Sequence, residues 1–297
     1  VAVIDRLLAP NSKFQARFFF LARRFVPGET TASALETVRV LNSDGLTASL
    51  DFLGEDVHLL AEAERTRDVY LEMLAGIEAA SARTNVSVKL TALGLLIDED
   101  LCVRHLTQIV ERAAGLPDPF VRIDMEGSAV TDATWRVFER VFATHSNVGI
   151  VIQAYLKRSP SDVERAIRLG ARIRLCKGAY SEPDELAYRP MSDIRREFLR
   201  LAEALLTRGA YPAIATHDEK LISAVKVFVD ARGISKDSFE FQMLYGIRPE
   251  LQRSLVAEGY RVRVYVPFGT HWAGYFYRRI TERKENAFFV LRSLVKR

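Results

Sequence analysis

Cysteine is nearly missing: Cys102 and Cys176 are the only two among 297 residues, too few for a disulfide framework. Such a chain reads as a protein of a reducing interior, and the cytoplasm is the expected location. No window approaches the roughly 18 consecutive apolar residues of a membrane-spanning helix. The first ten residues, Val1 to Pro10, lack the basic start and long apolar stretch of a secretory signal. Also lacking are the Gly-x-Gly-x-x-Gly turn of dinucleotide-binding sheets and the His-x-His or His-Glu-x-x-His patterns of zinc enzymes. No low-complexity segment occurs, and no Pro/Gly/Ser linker is long enough to separate domains. Charge of one sign is not concentrated either. The net +4 and pI of about 9.1 come from scattered residues, which allows contact with anionic lipid or an acidic ligand but leaves no footprint for nucleic acid. Asn85-Val86-Ser87 matches a glycosylation sequon, yet it lies in an apolar strand pattern and reads as chance.

What is present is a soluble, globular balance, 48% hydrophobic and 27% charged. Short strand-like runs recur at Leu46–Leu53, Asn85–Thr91, Phe120–Met125 and Val148–Tyr155, then at Ala171–Cys176, Tyr211–Thr216, Phe239–Leu244 and Arg261–Val266. Most are apolar or β-branched throughout, as strands covered on both faces should be. Amphipathic stretches lie between them. Asp56–Ala82 is one, and Asp162–Gly170 has Ser161 or Asp162 as its expected N-cap. Asp193–Gly209 and Lys220–Gly233 each stop at a glycine. Eight strands alternating with helices predict an α/β fold, a (β/α)8 TIM-like barrel, for which roughly 250 residues suffice. An open doubly wound sheet is the competing arrangement. The first 44 residues precede the first strand and read as an N-terminal helical extension, Asp5–Phe25 and Thr31–Asn42, ahead of a catalytic barrel over residues 45–297.

In such barrels the chemistry sits at the carboxyl ends of the strands. Here those ends carry Lys89, Thr91, Asp124, Met125, Glu126, Gln153, Tyr155, Arg174 and Lys177-Gly178-Ala179-Tyr180, followed by Thr216, His217, Asp218, Gln242 and Tyr265. A charge amid an apolar strand is costly unless it is paired or functional. Each residue alone has a plain structural reading. Lys89 and Asp124 suit a structural ion pair, Arg174 a buried support, and His217 a satisfied rim residue. Asp124, Glu126 and His217 also leave open a metal-dependent hydrolase or lyase. Polar groups offered by seven strands at one level describe a site. In the helix-like segment Trp272–Val295, Arg278 and Arg279 are adjacent, diverging by about 100°. Glu282 lies within reach of either, so a solvated surface pair is the alternative to a carboxylate clamp.

Taken in order, these segments resemble the proline dehydrogenase family, in its single-function bacterial form. The matching runs are Ser87-Val88-Lys89-Leu90-Thr91-Ala92-Leu93-Gly94, Arg122-Ile123-Asp124-Met125-Glu126, Val151-Ile152-Gln153-Ala154-Tyr155 and Arg174-Leu175-Cys176-Lys177-Gly178-Ala179-Tyr180. Ala215-Thr216-His217, Phe241-Gln242-Met243-Leu244-Tyr245-Gly246, Arg263-Val264-Tyr265-Val266-Pro267-Phe268-Gly269 and Tyr277-Arg278-Arg279-Ile280-Thr281-Glu282-Arg283 complete the series. The resemblance implies oxidation of L-proline to Δ1-pyrroline-5-carboxylate, by hydride transfer to N5 of non-covalent FAD, with electrons passed to a membrane quinone. It implies that Lys89, Arg278 and Arg279 hold the substrate carboxylate and that Tyr265 packs on the ring, while the spacing of Glu282 makes it the expected support of that clamp. Asp124 is implied as a carboxylate at the floor of the site, bonded to Tyr265 or Lys89, and Arg174 as the cation near flavin N5. Gln153, Lys177, Gly178, Ala179, Thr216, His217, Met125 and Gln242 are implied as cofactor contacts, and no metal is implied. A separate pyrroline-5-carboxylate dehydrogenase is the implied partner downstream, and peripheral contact with the inner face of the cell membrane is allowed.

Overall fold

Eight strands and nine helices are described, in the order α1 (Thr31–Ser43), β1 (Thr47–Phe52), α2 (Leu60–Ala79), β2 (Thr84–Val88), α3 (Glu99–Ala113), β3 (Val121–Ile123), α4 (Thr131–Phe142), β4 (Val148–Gln153) and α5 (Ser159–Leu169). There follow β5 (Ile173–Cys176), α6 (Met191–Arg208), β6 (Ala213–Ala215), α7 (Glu219–Arg232), β7 (Glu240–Leu244), α8 (Pro249–Ala257), β8 (Val262–Phe268) and α9 (Trp272–Glu282). The computed structural model describes residues 19, 20 and 22–282, with the backbone alone at 278 and 280–282. Each strand pairs in parallel with the next and β8 pairs with β1, closing the expected (β/α)8 barrel. Among the described residues, no helix is long and apolar enough to cross a membrane.

Strand alternation divides the barrel's side chains into two sets. Leu50, Val86, Val88, Ile123, Ile150, Ile152, Ile173, Leu175, Ile214, Phe241, Met243, Val264 and Val266 belong to one continuous core between sheet and helices. Their neighbours in sequence are Ser49, Asp51, Ser87, Arg122, Gln153, Arg174, Glu240, Gln242 and Arg263, all buried as well. The interior that branched apolar residues usually fill is here largely polar and charged. Three of the predicted strands run two or more residues too far, Val148–Tyr155 among them, which ends at Gln153. Asn85–Thr91 stops at Val88 because a 3-10 turn, Leu90–Leu93, takes over and closes on Gly94 at φ 101°. Phe120–Met125 keeps only Val121–Ile123. Helix α5 begins earlier than predicted, at Ser159 with Pro160 in its first turn, and Asp162 instead pairs with Arg158 at 2.8 Å.

Helix α1 is fixed by a reciprocal cap in which Ser33 N donates to Thr30 Oγ1 and Thr30 N to Ser33 Oγ, both at 3.3 Å. Its buried Ala34, Val38 and Leu41 join the main core against β1 and β8. Helix α9 behaves differently. Its Trp272, Ala273 and Tyr275 form a separate small core with Ala22, Phe25, Val26, Leu53 and Ile247. Leu53 follows β1 and Ile247 follows β7, so this second core lies over the carboxyl mouth of the barrel. Of the other terminal helices read from sequence, positions 1–18 and 283–295 fall outside the described residues.

Candidate active site

Arg174 is the centre of the polar interior. It rises from β5, is 6% exposed, and is held by side chains of three other strand ends. Its Nη1 donates to Asp124 Oδ1 at 2.5 Å, Nη2 to Ser87 Oγ at 3.0 Å, and Nε to Gln242 Oε1. Tyr265 on β8 then donates from its hydroxyl to the other Asp124 oxygen at 2.8 Å, and the Arg174 guanidinium carbon lies 5.3 Å from the Tyr265 ring centroid. Burial drives the Tyr265 phenol well above its ordinary pKa, and the Asp124 carboxylate adds to this, so it stays a donor.

Lys89 does not pair with Asp124, as the sequence had allowed. Its ammonium bonds both oxygens of Asp51, at 2.9 and 2.8 Å, across the β1–β2 boundary. Strand pairing decides this, because β1 lies beside β2 with Asp51 opposite Ser87, two residues before Lys89. Burial alone would depress the ammonium, but the Asp51 and Asp124 carboxylates outweigh it and hold the Lys89 pKa above the lysine value. Asp124 is thus bonded to Tyr265, one of the two expected partners. Asp51 was missed by sequence reasoning. Its signal was available, since a carboxylate between Leu50 and Phe52 in a doubly covered strand needs a partner.

Glu126 belongs to a second cluster. Its carboxylate accepts from Thr91 Oγ1 at 2.6 Å and Thr91 N at 3.2 Å, and its own carbonyl accepts from Gln153 Nε2 at 2.9 Å. Burial pushes its pKa up to about 7 despite the Thr91 bonds. Thr91 Oγ1 also accepts from Asp56 N at 3.0 Å, tying the loop after β1 to this carboxylate. Asp124, Glu126 and His217 are engaged separately, and among the described residues no three His, Cys, Asp or Glu side chains assemble into a metal-binding group.

The remaining expected residues are distributed along the same rim. His217 Nε2 accepts from Leu244 N at 2.8 Å, and Thr216 Oγ1 accepts from Asp218 N at 3.1 Å. Lys177 Nζ reaches Asp218 Oδ2 at 3.3 Å. Met125 is buried in the main core. At Gly178, the close approach expected of a cofactor is made by the protein itself. The backbone has φ +114°, and an added Cβ would lie 2.1 Å from the Tyr155 ring, so only glycine fits. Ala179 beside it is exposed. A cavity of about 360 Å³ opens here, with Lys177, Arg195, His217, Lys220 and Arg248 around it against Asp218 and Glu219. This donor set, rich in cations, fits a diphosphate group.

Over the mouth, Arg279 is 6% exposed, and its guanidinium carbon lies 5.0 Å from the Tyr275 ring centroid. That burial removes the solvated surface pair as a reading of Arg279. The side chains of Arg278 and Glu282 lie outside the described residues.

Comparison with known proteins agrees with this geometry. The sequence model of the proline dehydrogenase family matches residues 34–292. A proline dehydrogenase of Deinococcus radiodurans is 42% identical over 281 residues, 93% of this chain and 90% of that relative. Proline dehydrogenase 1 of Bacillus subtilis is 41% identical, covering 93% and 91%. Among solved structures, proline utilization A from Bdellovibrio bacteriovorus, inactivated by N-propargylglycine, superposes with a TM-score of 0.81 at 27% identity. That match covers 88% of this chain, which spans only 32% of the larger one. With a family match over most of its length and relatives of similar size above 40% identity, the chain belongs to the proline dehydrogenase family.

Proposed function

We propose that this protein oxidises L-proline to Δ1-pyrroline-5-carboxylate with non-covalent FAD, the first step in proline catabolism to glutamate. The observation that carries this reading is the placement of two buried cations, Lys89 and Arg174, on either side of the Tyr265–Asp124 bond, beneath the helix bearing Arg279. The catalytic unit is the barrel, residues 45–297, with residues 1–44 as a helical extension.

In this reading Lys89, Arg278 and Arg279 bind the substrate carboxylate, with Glu282 supporting the clamp. The ring of Tyr265 packs against the proline ring and limits its substituents. Asp124 holds both Tyr265 and Arg174 in place, so one carboxylate sets the separation between the substrate contact and the cofactor cation. Arg174 stands where its positive charge favours reduced, anionic flavin. Gln153, Gln242, Met125 and the Lys177-Gly178-Ala179 turn border the ring system, while Thr216, His217 and Lys177 serve the ribityl and diphosphate portion. When bound, the flavin supplies the hydride acceptor, N5, for the ring carbon next to the proline nitrogen. The chain's own contribution is to orient that carbon and exclude water, and orientation alone is worth several kcal/mol, on the order of the effects known for intramolecular reactions. Electrons then pass to a membrane quinone, through peripheral contact with the inner face of the cell membrane, and the product goes to a separate pyrroline-5-carboxylate dehydrogenase.

The absorbance spectrum of the purified protein tests this reading. Flavin bands at roughly 380 and 450 nm that bleach when proline is added without oxygen are the expected outcome. A colourless protein carrying a stoichiometric metal would overturn it.

A further inference from the structure

Strand β7 places Glu240 and Gln242 two residues apart on the inner face of the barrel, 3% and 4% exposed. The Gln242 amide is wedged between two groups of opposite demand. Arg174 has donors only, and its Nε donates to Gln242 Oε1. Glu240 as a carboxylate has acceptors only, and its Oε1 receives Gln242 Nε2 at 2.5 Å. An amide can be reversed with little change of shape, so its neighbours decide which end faces the arginine. Only one orientation satisfies both.

Glu240 is itself anchored from the far side. The same Oε1 receives Arg263 Nε at 2.8 Å, and Oε2 receives the Tyr211 hydroxyl at 3.3 Å. Arg263 continues to Asp118 at 2.6 Å and to the Ala48 carbonyl at 2.7 Å, so the anchor spans the amino end of the barrel. Burial opposes the Glu240 charge, but Arg263 together with the Gln242 bond brings its pKa to about 2. The carboxylate is therefore present throughout the neutral range.

We propose that Glu240 is a positioning residue for Arg174: it fixes the direction of the Gln242 amide and, through it, the guanidinium at the carboxyl mouth. Glu240 touches neither Arg174 nor the mouth, so its effect has to travel through the amide.

The test follows the Nε–H signal of Arg174 by nitrogen-15 NMR, assigned by its loss in Arg174→Lys, in four forms of the full chain. Glu240→Gln keeps an acceptor for both Gln242 and Arg263, and its Arg174 Nε–H exchange should stay within about twofold of the parent. Glu240→Met removes the acceptor, and exchange should quicken by about tenfold or more. Because that change takes from Arg263 one of its two carboxylates and leaves it only Asp118, the paired variant Glu240→Met with Arg263→Met removes both charges and should give the same result in a folded protein. The flavin potential is a second readout, resting on the proposed function. A tenfold shift in its two-electron equilibrium, about 30 mV, is expected in the Met variants and not in Glu240→Gln. An unchanged Arg174 signal in the folded paired variant overturns the inference, as does Glu240→Gln behaving like the Met variants. Protein that carries no flavin, yet loses Arg174 protection in the Met variants, supports the inference while sinking the functional reading.

Discussion

Lys89 and Asp51 are joined through both carboxylate oxygens in the barrel interior, with side-chain exposures of 8% and 1%. The candidate clamp lysine is therefore not a lone cation waiting for an anion; it is already half of a buried pair. Removing one member of such a pair leaves the other without compensation. Asp51→Asn is expected to destabilise the protein by about 3–5 kcal/mol, whereas replacing both residues by apolar ones of similar volume should cost much less. Urea unfolding of the single and double variants measures the difference. Equal losses in both would show that Asp51 and Lys89 do not act as a pair.

Arg279 lies buried on the helix above the mouth, next in sequence to Arg278. Arg279→Met and Arg278→Met are each expected to raise the KM for proline by about two orders of magnitude, corresponding to about 3 kcal/mol of lost charge-assisted binding. Flavin content should remain unchanged. Steady-state kinetics, with flavin absorbance measured on the same samples, checks both. A normal KM in both variants removes the clamp.

Tyr265 contributes a ring and a hydroxyl to different tasks. The hydroxyl holds Asp124 at 2.8 Å, and the ring faces Arg174. Tyr265→Ser should relax discrimination against hydroxylated proline, because the packing surface is lost. Tyr265→Phe keeps that surface and should relax it less, while lowering kcat through a less restrained Asp124. The ratio of kcat/KM for proline to that for hydroxyproline reads this out. An unchanged ratio in Tyr265→Ser excludes Tyr265 as the selective contact.

Glu126 makes stability depend on pH. It binds its proton more tightly in the folded state, at about 7, than at the ordinary 4.5. The folded protein thus holds the extra proton between those values, and folding stability falls as pH rises through that window, by about 3 kcal/mol in all. Below the lower value the contribution is complete, and above about 7 none of it remains. Glu126→Gln should abolish this slope. Chemical denaturation at pH 5 and pH 8 provides the comparison, and a variant retaining the full slope assigns it to another group.

The eight strands were legible because their helix-facing residues, among them Leu50, Val86, Ile150, Phe241 and Val264, are apolar and recur between amphipathic helical stretches. The strand ends were not, because Leu90 and Met125 continue the pattern in composition while the backbone has already turned away. In the site, Lys89, Asp124, Arg174 and Tyr265 were identifiable as expensive residues in inexpensive surroundings. Their partners were harder. Asp51 and Glu240 carry the same signal, but nothing local says which of two carboxylates a lysine will meet. That choice depends on the stagger between β1 and β2, a property of barrel closure that no single segment encodes. Gln242 was read as a cofactor contact, and the engagement of its amide by Arg174 and Glu240 was not read from the sequence.

The two separate cores have a consequence for how the site is entered. Helix α1 occupies the flank beside β8 and β1, so α9 is not needed to cover the sheet there. The buried apolar side chains described on α9 belong to the small cluster over the mouth. Disrupting that cluster costs its own modest apolar contact and leaves the barrel intact, which makes opening a sub-global event with its own free energy. Substitutions that make the barrel more heat-resistant should therefore leave the rate of substrate admission untouched. Amide exchange should be faster on α9 than on any strand, whatever the global stability.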